Sequence, residues 1–328
     1  MTLIPKFNFT SIDTDNNTDL HSTFSLSLVT WHFITLYYTL KVLLGLLGNS
    51  LVLHAFRYPD LLDYKKISIV ILTNLAVADI LILLIQGVPT IGVLAADRWP
   101  FGSTLCHLLG LTKYTTFYIE VFLTAMLSAH RAYILTFPFK GMLITKRSAV
   151  RTIVVIWIAS ILLNAVGVIG SEITFFDGRF LSCNAGIYLK KELEWEGYLL
   201  GTSLLIGSII IYTSLFIIGW KAKRATVKPA KNRNNMDAPP AVPRKQRLEN
   251  FVQKNKSTIT VCSVVGIFCV SIVPVFIVHL LKYLGVNVSP NLGLTQEVIA
   301  LFGVVLNPVI YSLTNPTFLK FYKEQFRV

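Results

Sequence analysis

Three charged side chains recur at helical spacing along one otherwise apolar stretch of the sequence. Glu120 follows Lys113 by 7 residues, and Arg131 follows Glu120 by 11 residues. At about 100° per residue, these intervals place all three side chains on one helix face, within about 20° of each other. That face would present a cation, an acid and a second cation in succession over roughly 27 Å. Because charges in an apolar helix are costly, the pattern predicts a role in binding a ligand, an ion or a partner.

A second acid, Asp79, lies in another apolar stretch and is the expected neighbour of Glu120 and Asn307. Two carboxylates in a low-dielectric interior cannot both ionise cheaply unless a cation lies between them; otherwise one keeps its proton. Asp79, Glu120 and Asn307 therefore predict an ion or proton site, with sodium between the two acids as the metal hypothesis. A purely structural hydrogen-bond network is the alternative. Lys113 and Arg131 could instead extend to opposite membrane interfaces.

The elements that carry these residues are predicted to be membrane helices. Hydrophobic residues make up 53% of the chain and charged residues 14%, which is typical of a membrane protein. About 20 apolar residues in a helix cross a hydrocarbon core of about 30 Å. The predicted fold is an all-α membrane protein, a seven-transmembrane helix bundle within residues 29–314. Its seven apolar runs lie near 29–56, 67–94, 103–137, 148–171, 197–220, 257–281 and 292–314.

The net charge of +13 is distributed unevenly between the two sides of this bundle. With the N-terminus outside, the inner segments hold 21 Lys and Arg residues and the outer segments hold 6. This asymmetry follows the positive-inside rule and predicts an extracellular N-terminus. It also argues that the basic residues face a lipid bilayer at the plasma membrane and that the chain does not bind nucleic acid.

The outer segments contain candidate modification sites. Asn8 and Asn16 begin glycosylation sequons in the tail 1–28, which is predicted to be extracellular. Cys106 and Cys183 both fall on the outer, oxidising side, so we expect a disulfide that pins the second outer loop over the bundle. Within this loop, a β-branched and aromatic run broken by an Asp-Gly pair predicts a β-hairpin in the sequence ITFFDGRFLSC.

Two inner segments are predicted to lie outside the bundle. Residues 221–256 are basic and rich in proline, which indicates a mobile third cytoplasmic loop. Residues 315–328 contain apolar side chains at helical spacing with lysines between them. They predict a short amphipathic eighth helix on the inner membrane surface, followed by a short cytoplasmic tail. The apolar side chains are Phe318, Leu319, Tyr322 and Phe326.

Short motifs in six of the seven spans resemble those of the rhodopsin-like (class A) G-protein-coupled receptors. The order and spacing of the motifs carry the resemblance: Cys106 precedes Arg131 by 25 residues, and Pro138 follows Arg131 by 7. The motifs are GNSLV with Asn49, NLAVAD with Asp79, WPFG with Trp99, NPVIY with Asn307, Pro308 and Tyr311, and the single residues Trp157, Phe268 and Pro274. The resemblance covers nearly the whole chain.

The resemblance implies a receptor that transmits the binding of an extracellular ligand to heterotrimeric G proteins, not an enzyme. Arg131 and Tyr311 would support the signalling state. Two of the departures from the family pattern concern the inner end of the bundle. His130 stands before Arg131 where an acid is usual, and Lys254 replaces a second acid at the inner end of span six. Because Arg131 lacks both of its usual salt-bridge partners, we expect the inactive state to be only weakly stabilised. This predicts high basal signalling or sensitivity to protonation of His130.

The resemblance also implies a ligand pocket near the outer mouth of the bundle. Lys113 stands where amine receptors of the family carry Asp, so a monoamine ligand is not expected. A peptide is the expected ligand, since two residues of opposite charge could bind its charged groups; a small anion or a lipid acid recognised by Lys113 is the alternative. The expected ligand-binding residues are Gln86, Lys113, Tyr114, Phe276, His279 and Glu297.

Two other function classes compete with a signalling receptor. A transporter or channel could use the buried Asp79, Glu120 and Lys41 for ion movement, but the sequence shows no inverted repeat and no paired broken half-helices. A seven-helix binding protein that does not signal is the more serious alternative, because the inner motif at His130 is altered. No cofactor other than the sodium ion is expected.

Overall fold

We describe the chain from a computed structural model. The structure describes residues 6–13, 19–57, 67–96, 98–141, 144–169, 174–177, 182–185, 194–227, 256–284, 286, 289–300, 302–314, 318, 321, 323 and 324. Most of these residues are helical. Long helices pack side by side as a bundle, and a small antiparallel sheet covers one end of it.

The helices follow the predicted apolar runs. They are α1 (Leu28–Ala55), α2 (Ile67–Ile82), α3 (Val88–Ala96), α4 (Gly102–Thr136), α5 (Pro138–Gly141), α6 (Lys146–Ile169), α7 (Glu194–Val227), α8 (Lys256–Tyr283), α9 (Pro290–Ala300) and α10 (Phe302–Thr314). A π-helical turn (Leu83–Gly87) joins α2 to α3, which together form the second span. Likewise, α9 and α10 together occupy the seventh run. Helix α5 is a single turn that follows α4.

Five helical stretches among the described residues are long and apolar enough to cross a membrane. They are Leu28–Ala55, Ile67–Ala96, Lys146–Ala165, Leu205–Arg224 and Thr258–Val278. A shorter apolar stretch, Val298–Thr314, corresponds to the seventh run. The third run is α4, whose 35 residues measure roughly 52 Å at about 1.5 Å per residue and carry the charged side chains identified above.

Large apolar side chains point outward from several of these helices. Phe33, Phe216, Val270 and Leu313 each expose more than two thirds of their surface. In a water-soluble protein this outer surface would be unfavourable, whereas lipid tails solvate it well. The side chains that fill the interior include small and polar residues, which allow close helix contacts. For example, a Cβ added to Gly48 of α1 would lie 3.0 Å from the Cβ of Pro308 in α10.

A four-stranded antiparallel sheet in the order β2-β1-β3-β4 lies at the end of the bundle where α4 begins. The strands β3 (Thr174–Asp177) and β4 (Ser182–Ala185) form the predicted hairpin, which is confirmed. The strands β1 (Lys6–Asp13) and β2 (Asp19–Ser27) belong to the tail, for which no strand was predicted. Strand β1 pairs with β3 through residues 12 and 13, so the tail extends the hairpin into one sheet.

The carboxyl-terminal segment contacts the end of the bundle opposite the sheet. Residues 318, 321, 323 and 324 are helical, and the rest of the predicted eighth helix lies outside the described residues. Phe318 and Phe321 are fully buried: the Phe318 ring lies 5.3 Å from the ring of Phe56, and the Phe321 ring lies 6.0 Å from the ring of His54. Lys323 and Glu324 are exposed. The segment therefore has one apolar side against α1 and one charged side.

Candidate ligand pocket and switch residues

A small cavity opens near the end of the bundle that carries the sheet. It lies between the second span, the beginning of α4 and strand β4. The side chains around it are mostly apolar, and its polar groups are the amide of Gln86 and the ammonium group of Lys113. The lining residues are Ile85, Gln86, Pro89, Trp99, Leu109, Lys113 and Cys183. Such a lining suits an anionic or hydrogen-bonding group of a ligand that has an apolar part beside it.

The π-helical turn of the second span positions Gln86. Pro89 follows this turn and has no backbone N–H, so the regular hydrogen bond to the carbonyl of Ile85 cannot form. A wider turn accommodates that loss, and π-turns of this kind are frequent at functional sites. The hydroxyl of Thr90 donates to the carbonyl oxygen of Gln86 at 2.8 Å, which satisfies another backbone acceptor of the irregular turn. Two cavity-lining residues, Ile85 and Gln86, come from the turn itself.

Trp99 forms the side of the cavity and is held by its own loop. Its indole N–H donates to the carbonyl oxygen of Gly102 at 2.7 Å, and its ring meets that of Phe101 edge to face at 5.0 Å. Gly102 has a φ of 76°, a left-handed conformation that glycine adopts without strain, and it begins α4. The WPFG sequence therefore fixes both the start of α4 and the orientation of Trp99.

The disulfide between Cys106 and Cys183 is confirmed, with the two Cα atoms 5.3 Å apart. It joins the first turn of α4 to strand β4, and both cysteines are buried. Because Cys183 also lines the cavity, the disulfide holds the hairpin over Lys113, which lies two turns further along α4. The described free cysteines, Cys262 and Cys269, lie in α8.

The predicted ligand residues do not all meet at this cavity. Gln86 and Lys113 line it, whereas Tyr114 is buried in the bundle core and Phe276 exposes 39% of its surface. Residues His279 and Glu297 lie in α8 and α9, but their side chains are outside the described part of the chain. Tyr114 does not line the cavity although Lys113 does, because consecutive helical residues point about 100° apart.

A group of buried polar residues lies deeper in the bundle. The side-chain amide of Asn307 donates to Asp79 Oδ2 at 3.1 Å, while Asp79 Oδ1 has no hydrogen-bond partner among the described residues. Asp79 and Glu120 are close enough to interact electrostatically. A Cβ added to Gly303 would lie 3.9 Å from Glu120 Oε1 and 3.7 Å from Ser271 Oγ, so these two oxygens lie on the same side of α10.

Lys41 is a separate buried charge in α1. It exposes only 3% of its surface, and its Nζ lies 4.0 Å from the ring centroid of Tyr38 and 5.0 Å from that of Tyr37. The two tyrosine rings thus provide cation–π contacts in a low-dielectric environment. The hydroxyl of Tyr37 donates to the carbonyl oxygen of Val298 at 2.6 Å and connects this part of α1 to α9.

At the end of α4 opposite the sheet, His130 and Arg131 are both partly buried. Neither ring nitrogen of His130 has a hydrogen-bond partner among the described residues, and the same holds for Arg131 Nε. The thiol of Cys262 in α8 is an electrostatic neighbour of Arg131. Tyr311 is completely buried in α10, with its ring 6.3 Å from that of Phe318. Lys254 lies outside the described residues.

Residues 48–311 match the family model of the 7 transmembrane receptor (rhodopsin family). The chain therefore belongs to this family of G-protein-coupled receptors, as its motifs predicted. It is a multi-pass membrane protein and a receptor, not an enzyme. The structure resembles the crystal structure of squid rhodopsin with a TM-score of 0.75, over 91% of this chain and 86% of that chain at 19% identity. That likeness confirms the predicted seven-helix fold.

Similar proteins include receptors for different kinds of ligand. The chain is 27% identical over 298 residues to a GQ-coupled rhodopsin of Mizuhopecten yessoensis, and the aligned region covers 88% of this chain and 58% of that protein. It is 23% identical over 306 residues to the putative neuropeptide Y receptor 11 of Caenorhabditis elegans, with coverage of 88% and 73%. It is 29% identical over 205 residues to the type-1 angiotensin II receptor A of Rattus norvegicus, with coverage of 61% and 56%. The chain thus spans little more than half the length of two of these relatives.

Proposed function

We propose that this receptor binds an extracellular ligand in the cavity beside Lys113 and activates heterotrimeric G proteins at the inner end of the bundle. One observation carries the proposal. Lys113 lines the outer cavity, and Arg131 lies on the same face of the same helix, five turns further inward. The orientation that accompanies it has the N-terminus outside the plasma membrane, in keeping with the charge asymmetry of the sequence. The glycosylation predicted at Asn8, in strand β1, and at Asn16, outside the described residues, fits this orientation.

A peptide with an acidic group is the ligand that we propose. The ammonium group of Lys113 would bind a carboxylate, the amide of Gln86 would accept or donate a hydrogen bond, and the apolar walls would hold a hydrophobic side chain. Neuropeptide Y and angiotensin II receptors are among the similar proteins, which supports a peptide. A small anion or a lipid acid is the second candidate, because most of the described lining is apolar and Lys113 supplies a cation beside it.

The proposed mechanism is a shift between two conformations of the bundle. Helix α8 contains Pro274, which removes a backbone hydrogen bond and makes this helix prone to bend. When a ligand stabilises the open conformation, the inner end of α8 would move away from α4. Arg131, which now lies within electrostatic range of Cys262 of α8, would then face an open cavity and contact the G protein. Tyr311 would support the new packing.

A ligand screen tests this proposal. Cells expressing the full chain would be exposed to neuropeptides and small organic acids, with several G-protein pathways read in parallel. We expect activation by a ligand with a free carboxylate. Silence in every pathway, with no basal signal above untransfected cells, would favour a seven-helix binding protein that does not signal.

We also propose that Asp79 and Glu120 hold a sodium ion or share a proton. The oxygen donors fit sodium, which prefers hard ligands, and Asp79 Oδ1 and Ser271 Oγ are buried without hydrogen-bond partners among the described residues. The described part of the chain contains no group of three or more His, Cys, Asp or Glu side chains that could hold a metal ion. When bound, sodium would offset one of the two carboxylate charges and stabilise the closed packing of α2, α4 and α10.

Sodium is expected to raise the thermal stability of the purified receptor. A ligand at about ten times its Kd stabilises the folded state by about 1.4 kcal/mol, which for a bundle of this size raises Tm by roughly 2–5 °C. The measurement compares Tm in sodium chloride and in choline chloride at equal ionic strength. We expect the difference to disappear in Asp79→Asn and Glu120→Gln. It should persist in Ser160→Ala, which removes a buried hydroxyl from α6, outside this group. A sodium effect that survives both acid substitutions would rule out this site.

A further inference from the structure

The first two turns of α6 carry an unusual pair of exposed arginines. Arg147 and Arg151 are one turn apart, with a helical rise of about 6 Å between them. The whole of α6 contains no acidic residue. Within the described part of the chain, neither guanidinium forms an ion pair or a hydrogen bond with another side chain. Two permanently charged groups therefore remain available to a partner outside the bundle.

Both arginines lie on the face of α6 that points away from the bundle. The buried face is marked by Ala149, Ile153 and Ser160. At 100° per residue, Arg147 and Arg151 lie roughly 160° and 200° around the helix from Ala149. Their face continues along α6 with Val154, Ile158 and Leu162, which expose 49%, 52% and 59% of their surfaces. In a membrane these apolar residues contact lipid tails, so the arginines on the same face also point toward lipid.

The position along the helix places the arginines at the edge of the apolar layer. Arg151 precedes Val154, the first exposed apolar residue in line with it, by three residues, or about 4.5 Å along the axis. The headgroup layer of a bilayer lies directly beside its hydrocarbon core. In the orientation of the proposed function, this layer belongs to the cytoplasmic leaflet, which is rich in anionic lipids. The pair therefore lies at the depth of the headgroup phosphates.

The cation at the inner end of α7 is in a different situation. The guanidinium of Arg224 lies 3.8 Å from the ring centroid of Trp220, and Lys221 Nζ lies 5.6 Å from the same centroid. The chain therefore already provides an aromatic surface for Arg224. Arg147 and Arg151 have no comparable contact among the described residues, and a planar guanidinium matches the oxygens of a phosphate group.

We infer that Arg147 and Arg151 form a binding site for the headgroup of an anionic phospholipid, whose acyl chains lie along Val154, Ile158 and Leu162. The charge of the pair is complementary to the headgroup phosphate, and the apolar stripe beyond it is complementary to the tails. Binding is expected to strengthen with headgroup charge, from phosphatidylcholine to phosphatidylserine to phosphatidylinositol 4-phosphate. A bound lipid would cover the inner, lipid-facing surface of the fourth span.

Lipid binding to the purified full-length receptor in neutral detergent micelles tests the inference. The probes are phosphatidylcholine, phosphatidylserine and phosphatidylinositol 4-phosphate, and native mass spectrometry counts the lipids bound. A basic residue near an anionic headgroup contributes a roughly fivefold gain in association, so Arg147→Gln with Arg151→Gln should weaken binding of the phosphoinositide about 30-fold. Binding of phosphatidylcholine should not change. Micelles have no sidedness, so a negative result would count against the lipid site and leave the orientation and G-protein coupling of the proposed function untouched.

Two matched variants complete the test. Lys146→Gln removes one charge from the same helix about 100° away from Arg147, and it should leave phosphoinositide binding near the wild-type level. Lysines at both arginine positions keep the charges and should retain most of the binding. Equal affinity of the wild type for all three lipids, or full binding by the double glutamine variant, would overturn the inference. If the double lysine variant lost phosphoinositide binding as completely as the double glutamine variant, that result would also overturn the inference.

Discussion

Replacing His130 with Asp is expected to lower ligand-independent G-protein activation about tenfold. In the wild type, His130 supplies no negative charge to Arg131, and its ring nitrogens have no hydrogen-bond partner among the described residues. A carboxylate at this position would accept a charge-assisted hydrogen bond from the guanidinium, an interaction that contributes about 1.5–3 kcal/mol. That free energy shifts the equilibrium toward the closed conformation by a factor of roughly 10 to 100.

The measurement is the G-protein signal of cells without ligand, divided by the receptor level at the cell surface. His130→Asn is the matched control, because asparagine has nearly the size of aspartate but no charge. We expect His130→Asn to keep the basal signal of the wild type, and only His130→Asp to lower it. Equal basal activity in all three receptors would show that the residue before Arg131 does not restrain the switch.

Replacing Lys113 with Met is expected to lower the potency of an acidic agonist at least 30-fold. Methionine keeps most of the length and the apolar character of lysine but removes the ammonium group from the cavity. Truncating one partner of a buried, hydrogen-bonded charge pair costs about 2–5 kcal/mol, mainly through faster dissociation. Lys113→Arg should retain most of the potency because it keeps the charge. The readout is the concentration–response curve of the strongest carboxylate-bearing agonist from the ligand screen.

A neutral analogue of the same agonist makes the test specific. Conversion of its carboxylate to an amide should weaken binding to the wild type, but it should have little effect on Lys113→Met, in which the charge partner is already absent. The two changes would then be strongly non-additive. If the amide lost equal affinity at both receptors, the carboxylate would bind elsewhere and Lys113 would not be its partner.

The helices could be predicted because each depends on a local run of apolar residues. The disulfide could be predicted because both cysteines were expected on the oxidising side of the membrane. Apolar runs of about 20 residues have no stable alternative to a helix in lipid. Cys106 and Cys183 stand on the same oxidising side, so their pairing could be expected without coordinates. The intervals between Lys113, Glu120 and Arg131 also predicted a shared face correctly, since α4 is one uninterrupted helix from Gly102 to Thr136.

Other features depend on contacts that the sequence does not reveal. The tail strand β1 mixes polar and apolar residues, and its pairing with β3 depends on a loop more than 160 residues further along the chain. The π-helical turn that positions Gln86 has only a weak signal, the proline at position 89. Membrane helices are apolar on nearly all faces, so their rotation is difficult to predict. Tyr114 and Phe276, which the resemblance placed at the ligand pocket, are not among the described residues that line the cavity.

In the proposed mechanism, the inner end of this bundle activates G proteins through Arg131. The measurement is guanine-nucleotide exchange on purified heterotrimers. The receptor is placed in bilayer nanodiscs, and wild type is compared with Arg131→Ala at equal amounts of folded protein. We predict that the wild type accelerates exchange on at least one class of Gα subunit even without ligand, and that Arg131→Ala reduces the rate to that of empty nanodiscs. Equal exchange rates for wild type, Arg131→Ala and empty nanodiscs on every Gα class, with and without an acidic agonist, would show that Arg131 does not couple this bundle to G proteins.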